Sequence, residues 1–257
     1  MSYIQVDCDR QRLGSVYRLT VSRPQRLNAL DSSVLNELAR ALAVIATDDD
    51  ARVAVVGAAD SKAWIAGADI DEMAKLDRHN AAAFVQRLHG VCRAVRELPV
   101  PVIARISGYC LGAGLELAAS CDLRVASDDS RFGMPEVQLG LPSVIEAAVL
   151  PRLVGLGRAR ELVLTGRLIE AHEARSWGLV ETVVPRADLD ALVLERVQQI
   201  VSAAPQAIRA QKELCRHWEE LPLSTAITES IDAFVRAYES GEPHTYMERF
   251  LRRRRNR

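Results

Sequence analysis

The chain has 257 residues, 49% of them apolar and 26% charged, with 33 Lys and Arg set against 34 Asp and Glu for a formal net charge of -1. That balance suits a soluble globular protein with a sizeable core and offers no bulk attraction to nucleic acid or an anionic membrane. No apolar run approaches the roughly 20 residues of a membrane span, and five scattered cysteines without a C-x-x-C pair indicate neither a disulfide framework nor a zinc site.

The N-terminal stretch Met1 to Asp9 is short and polar, without the basic-then-apolar pattern of a signal peptide, so a cytoplasmic location is the default expectation. Ser15 to Val21 is predicted as a strand, and R-P-Q-R-L-N-A-L (Arg23 to Leu30) as a turn. Asp31 is a good N-cap for a helix over 32–46, whose Val34, Leu35, Leu38, Leu42 and Ile45 keep to one face. Arg52 to Gly57 reads as a strand buried on both faces. Asn80 to Leu98 reads as a long helix, closed by Pro99 and Pro101, which cannot continue it.

Two turns stand out along this order. Val102 to Ile106 is apolar and β-branched enough to be a buried strand, and Ala113 to Ser120 is a short apolar helix; Gly108, Gly112 and Gly114 lie between and at the start of them. Amides of a first helical turn lack intrahelical partners and carry partial positive charge, so the Ala113 N–H could hold a developing oxyanion. Glu116 follows one turn later, as either a structurally paired carboxylate or an acid–base group. A dinucleotide cradle fits poorly, because G-x-G-x-x-G would need its third glycine at Leu117. Upstream, A-W-I-A-G-A-D-I-D-E-M (Ala63 to Met73) repeats the pattern: Gly67 precedes a helix start rich in acids (Asp69, Asp71, Glu72). Two amide-presenting turns can form one oxyanion hole.

Leu123 to Ala126 is a strand, Arg158 to Thr165 and Glu170 to Trp177 are short helices, and Leu179 to Val184 is a strand ending at Pro185. Beyond it, 189–203, 205–218, 223–240 and 245–255 show helical spacing, with Pro205 and Pro222 placed as helix starters. The alternation of strands and helices argues an α/β fold, with a boundary near residue 195: a core over 1–195 and a helical module over 196–257. His79, His89, His172, His217 and His244 lack metal-ligand spacing, so surface or packing roles are expected for them, and packing for Trp64 and Trp177.

Read together, R-P-Q-R-L-N-A-L, A-G-A-D-I (Ala66 to Ile70), G-Y-C-L-G-A-G-L-E-L-A (Gly108 to Ala118), Cys121–Asp122, F-G-M-P-E (Phe132 to Glu136), L-T-G-R (Leu164 to Arg167) and the A-x-x-A-x-x-W-G-L-V run (Ala171 to Val180) resemble the crotonase family of enoyl-CoA hydratases and isomerases. The resemblance implies a right-handed spiral of ββα units with a C-terminal helical oligomerisation module, assembled as trimers or dimers of trimers. It implies that Glu116 and Glu136 lie over one thioester, that the amides of Ala68 and Ala113 hold its enolate, and that Arg26, Leu27, Ala66, Gly67, Ala68, Asp69, Ile70, Gly112 and Ala113 bind substrate. Coenzyme A enters as part of the substrate, with no metal and no separate cofactor. Relatives that only shift a double bond manage with the acid at Glu136, so the presence of Glu116 favours hydration. An isomerase, another reaction through the same enolate, or a non-catalytic RNA-binding oligomer is the alternative. The tail L-R-R-R-R-N-R (Leu251 to Arg257) is read as a solvated helix end or a CoA-phosphate contact in preference to a nucleic-acid arm.

Two departures from the family pattern follow. P-S-V-I-E-A-A-V-L (Pro142 to Leu150) stands where the family carries P-G-x-G-G-T-Q-R-L, and Asp71 stands where many relatives have a lysine facing the CoA phosphates. Glu146, new in that segment, is expected to be a dipole-compensating or surface glutamate at the start of a helix lining the acyl pocket.

Overall fold

The computed structural model describes residues 2–59 and 62–255; Met1, Asp60, Ser61, Asn256 and Arg257 lie outside it, including the last two residues of the arginine-rich tail. Two sheets organise the chain. The first has six strands: β1 (Ile4–Gln11), β2 (Gly14–Val21), β3 (Ala51–Ala58), β5 (Val102–Ile106), β7 (Leu123–Ser127) and β10 (Thr182–Val184), in the order β1-β2-β3-β5-β7-β10. The second has four three-residue strands, β4 (Ala63–Ile65), β6 (Tyr109–Leu111), β8 (Arg131–Gly133) and β9 (Leu168–Glu170), in the order β4-β6-β8-β9. All pairings are parallel except the β1–β2 hairpin and β8–β9. The chain passes repeatedly from the long sheet to the short one and back through a helix, the α/β arrangement of ββα units that the resemblance implies.

Local chemistry accounts for the helices. Helix α1 (Ser32–Ala46) starts where the Asp31 carboxylate accepts the Val34 N–H at 2.8 Å, and its five predicted apolar positions are all buried. A four-residue helix, α2 (Ile70–Met73), follows β4. Helix α3 (Ala81–Glu97) buries Phe84, Leu88, Val91, Cys92 and Val95 and packs on both α1 and α4 (Ala113–Ser120). α4 is buried all round, as its sequence requires. After it come α5 (Leu150–Val154), α6 (Leu156–Thr165) and α7 (Ala171–Trp177). α8 (Leu189–Ser202) lays Leu189, Val193, Val197 and Val201, one per turn, on the outer face of the long sheet against Val16, Val53, Val55, Ile103 and Val125. Residues 195 and 196 fall within α8, so the chain leaves the sheet only at Ala203 and Ala204.

Helices α9 (Pro205–Glu220), α10 (Leu223–Ala237) and α11 (Glu242–Arg255) form the C-terminal part. Buried Lys212 on α9 ties it to the core, donating to Asp122 at 2.7 Å and to the carbonyls of Val95 and Val100. α10 turns Leu223, Ile227, Ile231 and Phe234 to solvent. No helix among the described residues is long and apolar enough to cross a membrane.

Candidate active site

Three parallel neighbours of the short sheet, β4, β6 and β8, each end in a turn that opens a helix, and side-by-side strands bring those turns together. This is the carboxyl edge where ligands sit in open α/β sheets. The first turn carries Ala66 to Asp69. Leu30 N–H donates to Gly67 O and Asp69 N–H to Leu30 O, both at 2.9 Å, which pins the peptides on either side of Ala68. In the second, Gly112 N–H donates to Gly133 O at 2.9 Å, and α4 begins at Ala113. The amides of Ala68 and Ala113 themselves donate to no protein group among the described residues.

Glycine is required here by contact. A Cβ on Gly112 would lie 2.4 Å from Glu136 Oε1 and 3.9 Å from the Gly67 α-carbon, and one on Gly114 would meet Ile65 O at 2.3 Å. The Glu136 carboxylate therefore rests on the Gly112 backbone beside the Gly67 turn. Glu136 sits in the 3₁₀ turn 135–139 after β8, and the Ser143 hydroxyl donates to its Oε2 at 2.7 Å.

Glu116 lies on the inward side of α4, 4% exposed, and its Oε1 accepts the Ala147 N–H at 3.2 Å. Burial pushes its pKa up to about 8; the Ala147 amide opposes the rise, and the charges of Glu136 and Glu146 add to it. One carboxyl of the group is thus neutral at pH 7 and can give up a proton there.

Glu146 corrects an expectation. It does occupy the first turn of a short helix, a 3₁₀ turn over 145–149, but it is not on the surface: it is 3% exposed. His89 on α3, half exposed, holds its Oε1 through Nδ1 at 2.7 Å, while Oε2 has no partner among the described residues. His89 thus has a specific polar role rather than a packing one. The residue before Glu146, Ile145, has φ +42°, a left-handed conformation that β-branched side chains avoid.

The rim comes from the turn 23–30. Asn28, fully buried, donates to Ala59 O and Ala63 O and accepts from Arg23 N. Arg23 bridges Asp31 at 3.0 Å and Asp69 at 2.6 Å, locking the cap of α1 to that of α2. Burial works against ionisation of Asp69, yet the Glu72 amide and Arg23 outweigh it and hold its carboxyl below the usual range. The Asp69 side chain therefore braces the turn. Arg26 pairs with Asp71 across the exposed mouth, and Leu27 and Ile70 are largely exposed beside it. Among the described residues no cluster of three or more His, Cys, Asp or Glu is arranged to hold a metal.

The family model for enoyl-CoA hydratase/isomerase matches residues 11–257. The chain is 35% identical to a short-chain-enoyl-CoA hydratase of Clostridium acetobutylicum, over 95% of this chain and 94% of that one. It is 34% identical to an (E)-benzylidenesuccinyl-CoA hydratase of Thauera aromatica, over 81% of this chain and 82% of that one. A crystal structure of an enoyl-CoA hydratase from Bacillus anthracis superposes with a TM-score of 0.85 at 35% identity, covering 90% of this chain and 89% of that one. The protein belongs to the enoyl-CoA hydratase/isomerase, or crotonase, family. Membership implies an acyl-CoA substrate.

Proposed function

We propose that the chain is an enoyl-CoA hydratase, adding water reversibly across the double bond of a 2-enoyl-CoA thioester. The observation that carries this reading is the convergence of Glu116 and Glu136 on adjacent turns, beside the two unengaged amides of Ala68 and Ala113. In this reading the thioester carbonyl oxygen accepts both amides. As the Cα–Cβ double bond is attacked, negative charge moves onto that oxygen. Donors already held by Leu30 and by the start of α4 need no reorganisation to meet it, an effect worth about 3 to 4 kcal/mol per donor in other enzymes.

A water between the two carboxyls supplies the nucleophile. Its oxygen bonds to Cβ, its proton goes to the ionised carboxyl, and the neutral carboxyl delivers a proton to Cα. The pair holds one proton before and after, but on opposite carboxyls, so a proton transfer from one to the other resets the site for the next turnover. Burial of Glu116 supports this state by keeping it protonated near neutrality. Arg26, Leu27, Ala66 and Ile70 would meet the CoA moiety at the mouth, where a phosphate would compete with Asp71 for Arg26.

The exposed apolar side of α10 supports assembly into a trimer or a dimer of trimers, and we keep the C-terminal helices as the module that mediates it. The function is tested by giving the protein crotonyl-CoA and, separately, a 3-enoyl-CoA. Loss of the conjugated thioester's absorbance with formation of 3-hydroxyacyl-CoA supports the hydratase. Conversion of the 3-enoyl substrate alone makes the protein an isomerase.

A further inference from the structure

Residues 145 and 146 carry two costs side by side. Ile145 adopts φ +42°, a left-handed backbone conformation that is strained for a β-branched residue. Glu146 buries a carboxyl with one oxygen unpartnered among the described residues, where buried polar atoms are otherwise almost always hydrogen-bonded. Neither cost is needed to terminate a strand or to start a helix. Both fall in the segment that departs from the family's glycine-rich sequence, and the next amide, Ala147, is the one bonded to Glu116. The segment therefore presents the Glu146 carboxyl next to the proposed catalytic acid.

The geometry points to Glu146 as a recognition residue for a hydroxyl group on the acyl chain of the substrate, accepted by its unpartnered Oε2 while His89 holds Oε1. A hydroxyl fits better than an ammonium. Oε1 is already bonded to His89 Nδ1 at 2.7 Å, which leaves the one oxygen Oε2 as acceptor, a match for the single donor of a hydroxyl where an ammonium would bring three. A plain alkyl chain in the same place would leave the oxygen desolvated and unpaired, and sites built to bond a substrate hydroxyl reject analogues lacking it. The inference rests on the reading above in one respect, that the acyl thioester lies over Glu116 and Glu136.

Equilibrium binding tests it without requiring turnover, so failure of the hydratase reading is seen separately in the crotonyl-CoA assay. Calorimetry would compare saturated acyl-CoA thioesters of four to six carbons, each with and without a hydroxyl on its last carbon. At least one hydroxylated member is expected to bind tenfold or more tightly than its parent, consistent with a charge-assisted hydrogen bond. The preference should fall below about twofold, a small fraction of one such bond, in Glu146→Met or Glu146→Leu, neither of which offers an oxygen acceptor, whichever melts as a folded protein. A crystal structure of the wild type with the preferred thioester should place the hydroxyl within hydrogen-bond distance of Oε2. Discrimination below twofold throughout the series, a preference that survives in the folded variant, or a hydroxyl bonded elsewhere would overturn the assignment.

Discussion

The backbone N–H of Ala147 donates to Oε1 of Glu116 across 31 residues of sequence, at 3.2 Å. That bond fastens the buried acid on α4 to the one segment in which this chain abandons its family's glycine-rich pattern. Changes in that segment reach the proposed chemistry through two hydrogen bonds, this one and that of the Ser143 hydroxyl to Glu136, while the two glycine turns stand on separate supports in Leu30 and Gly133.

The first prediction concerns the two acids. Glu116→Gln and Glu136→Gln each keep the shape of the site but remove a proton-transfer group, which typically contributes 10²–10⁴-fold. Hydration of crotonyl-CoA should fall by about that factor in either variant, with acyl-CoA affinity changed only a few-fold. Steady-state kinetics with calorimetric binding checks it. Near-normal turnover in Glu116→Gln would point to double-bond isomerisation instead.

Stability should depend on pH through Glu116. Its folded-state pKa, about 8, lies above the ordinary carboxylic value of 4.5. Between those values the folded protein keeps a proton that the unfolded chain has lost, so the contribution is complete below about 4.5 and is lost as pH rises towards 8. Thermal melts of the wild type should therefore show Tm falling over that window. Glu116→Gln, which cannot ionise, should give a flatter curve and the higher Tm at pH 8. Parallel curves for the two proteins would contradict the assignment.

Gly112 should tolerate no side chain. Its φ of +50° with ψ of -121° is open to glycine alone in practice, and a Cβ would press on Glu136 Oε1. Gly112→Ala is expected to lower stability by roughly 1–3 kcal/mol. It should also cut kcat at least tenfold, by about 1.4 kcal/mol in the barrier, because Glu136 must move off its backbone rest. A denaturant titration and a rate measurement on the same preparation separate the two effects, and full activity would show that this contact does not set the position of Glu136.

The last prediction is of assembly. Ile231 and Phe234 on α10 are 61% and 66% exposed, too large an apolar surface to leave in water beside Leu223 and Ile227. At micromolar concentration the protein should sediment as a trimer or a multiple of one. The double substitution Ile231→Asp with Phe234→Asp should shift it to smaller species without unfolding the core. A monomeric wild type would remove the basis for an oligomerisation module.

What the sequence by itself determined was whatever is set by near neighbours. Asp31 followed by a 3.6-residue apolar pattern is enough to specify α1, and the β-branched run Val102 to Ile106 ahead of glycines and an all-apolar helix is enough for β5, its turn and α4. The oxyanion-type turns and the two glutamates could be picked out because their motifs are contiguous. Tertiary structure alone decided the rest. The strands of the short sheet are three residues long and have no period to read, and β1 is polar and exposed over most of its length, so nothing in it marked a strand until it paired with β2. Nor could spacing reveal that the Glu136 carboxylate would rest on Gly112, or that Ser143 would donate to it. Glu146 looks like any first-turn acid along the chain. It is buried because α3 covers it, and it meets His89, 57 positions away, because the 145–149 turn packs on α3, while the backbone strain at Ile145 belongs to that packing and to no local preference.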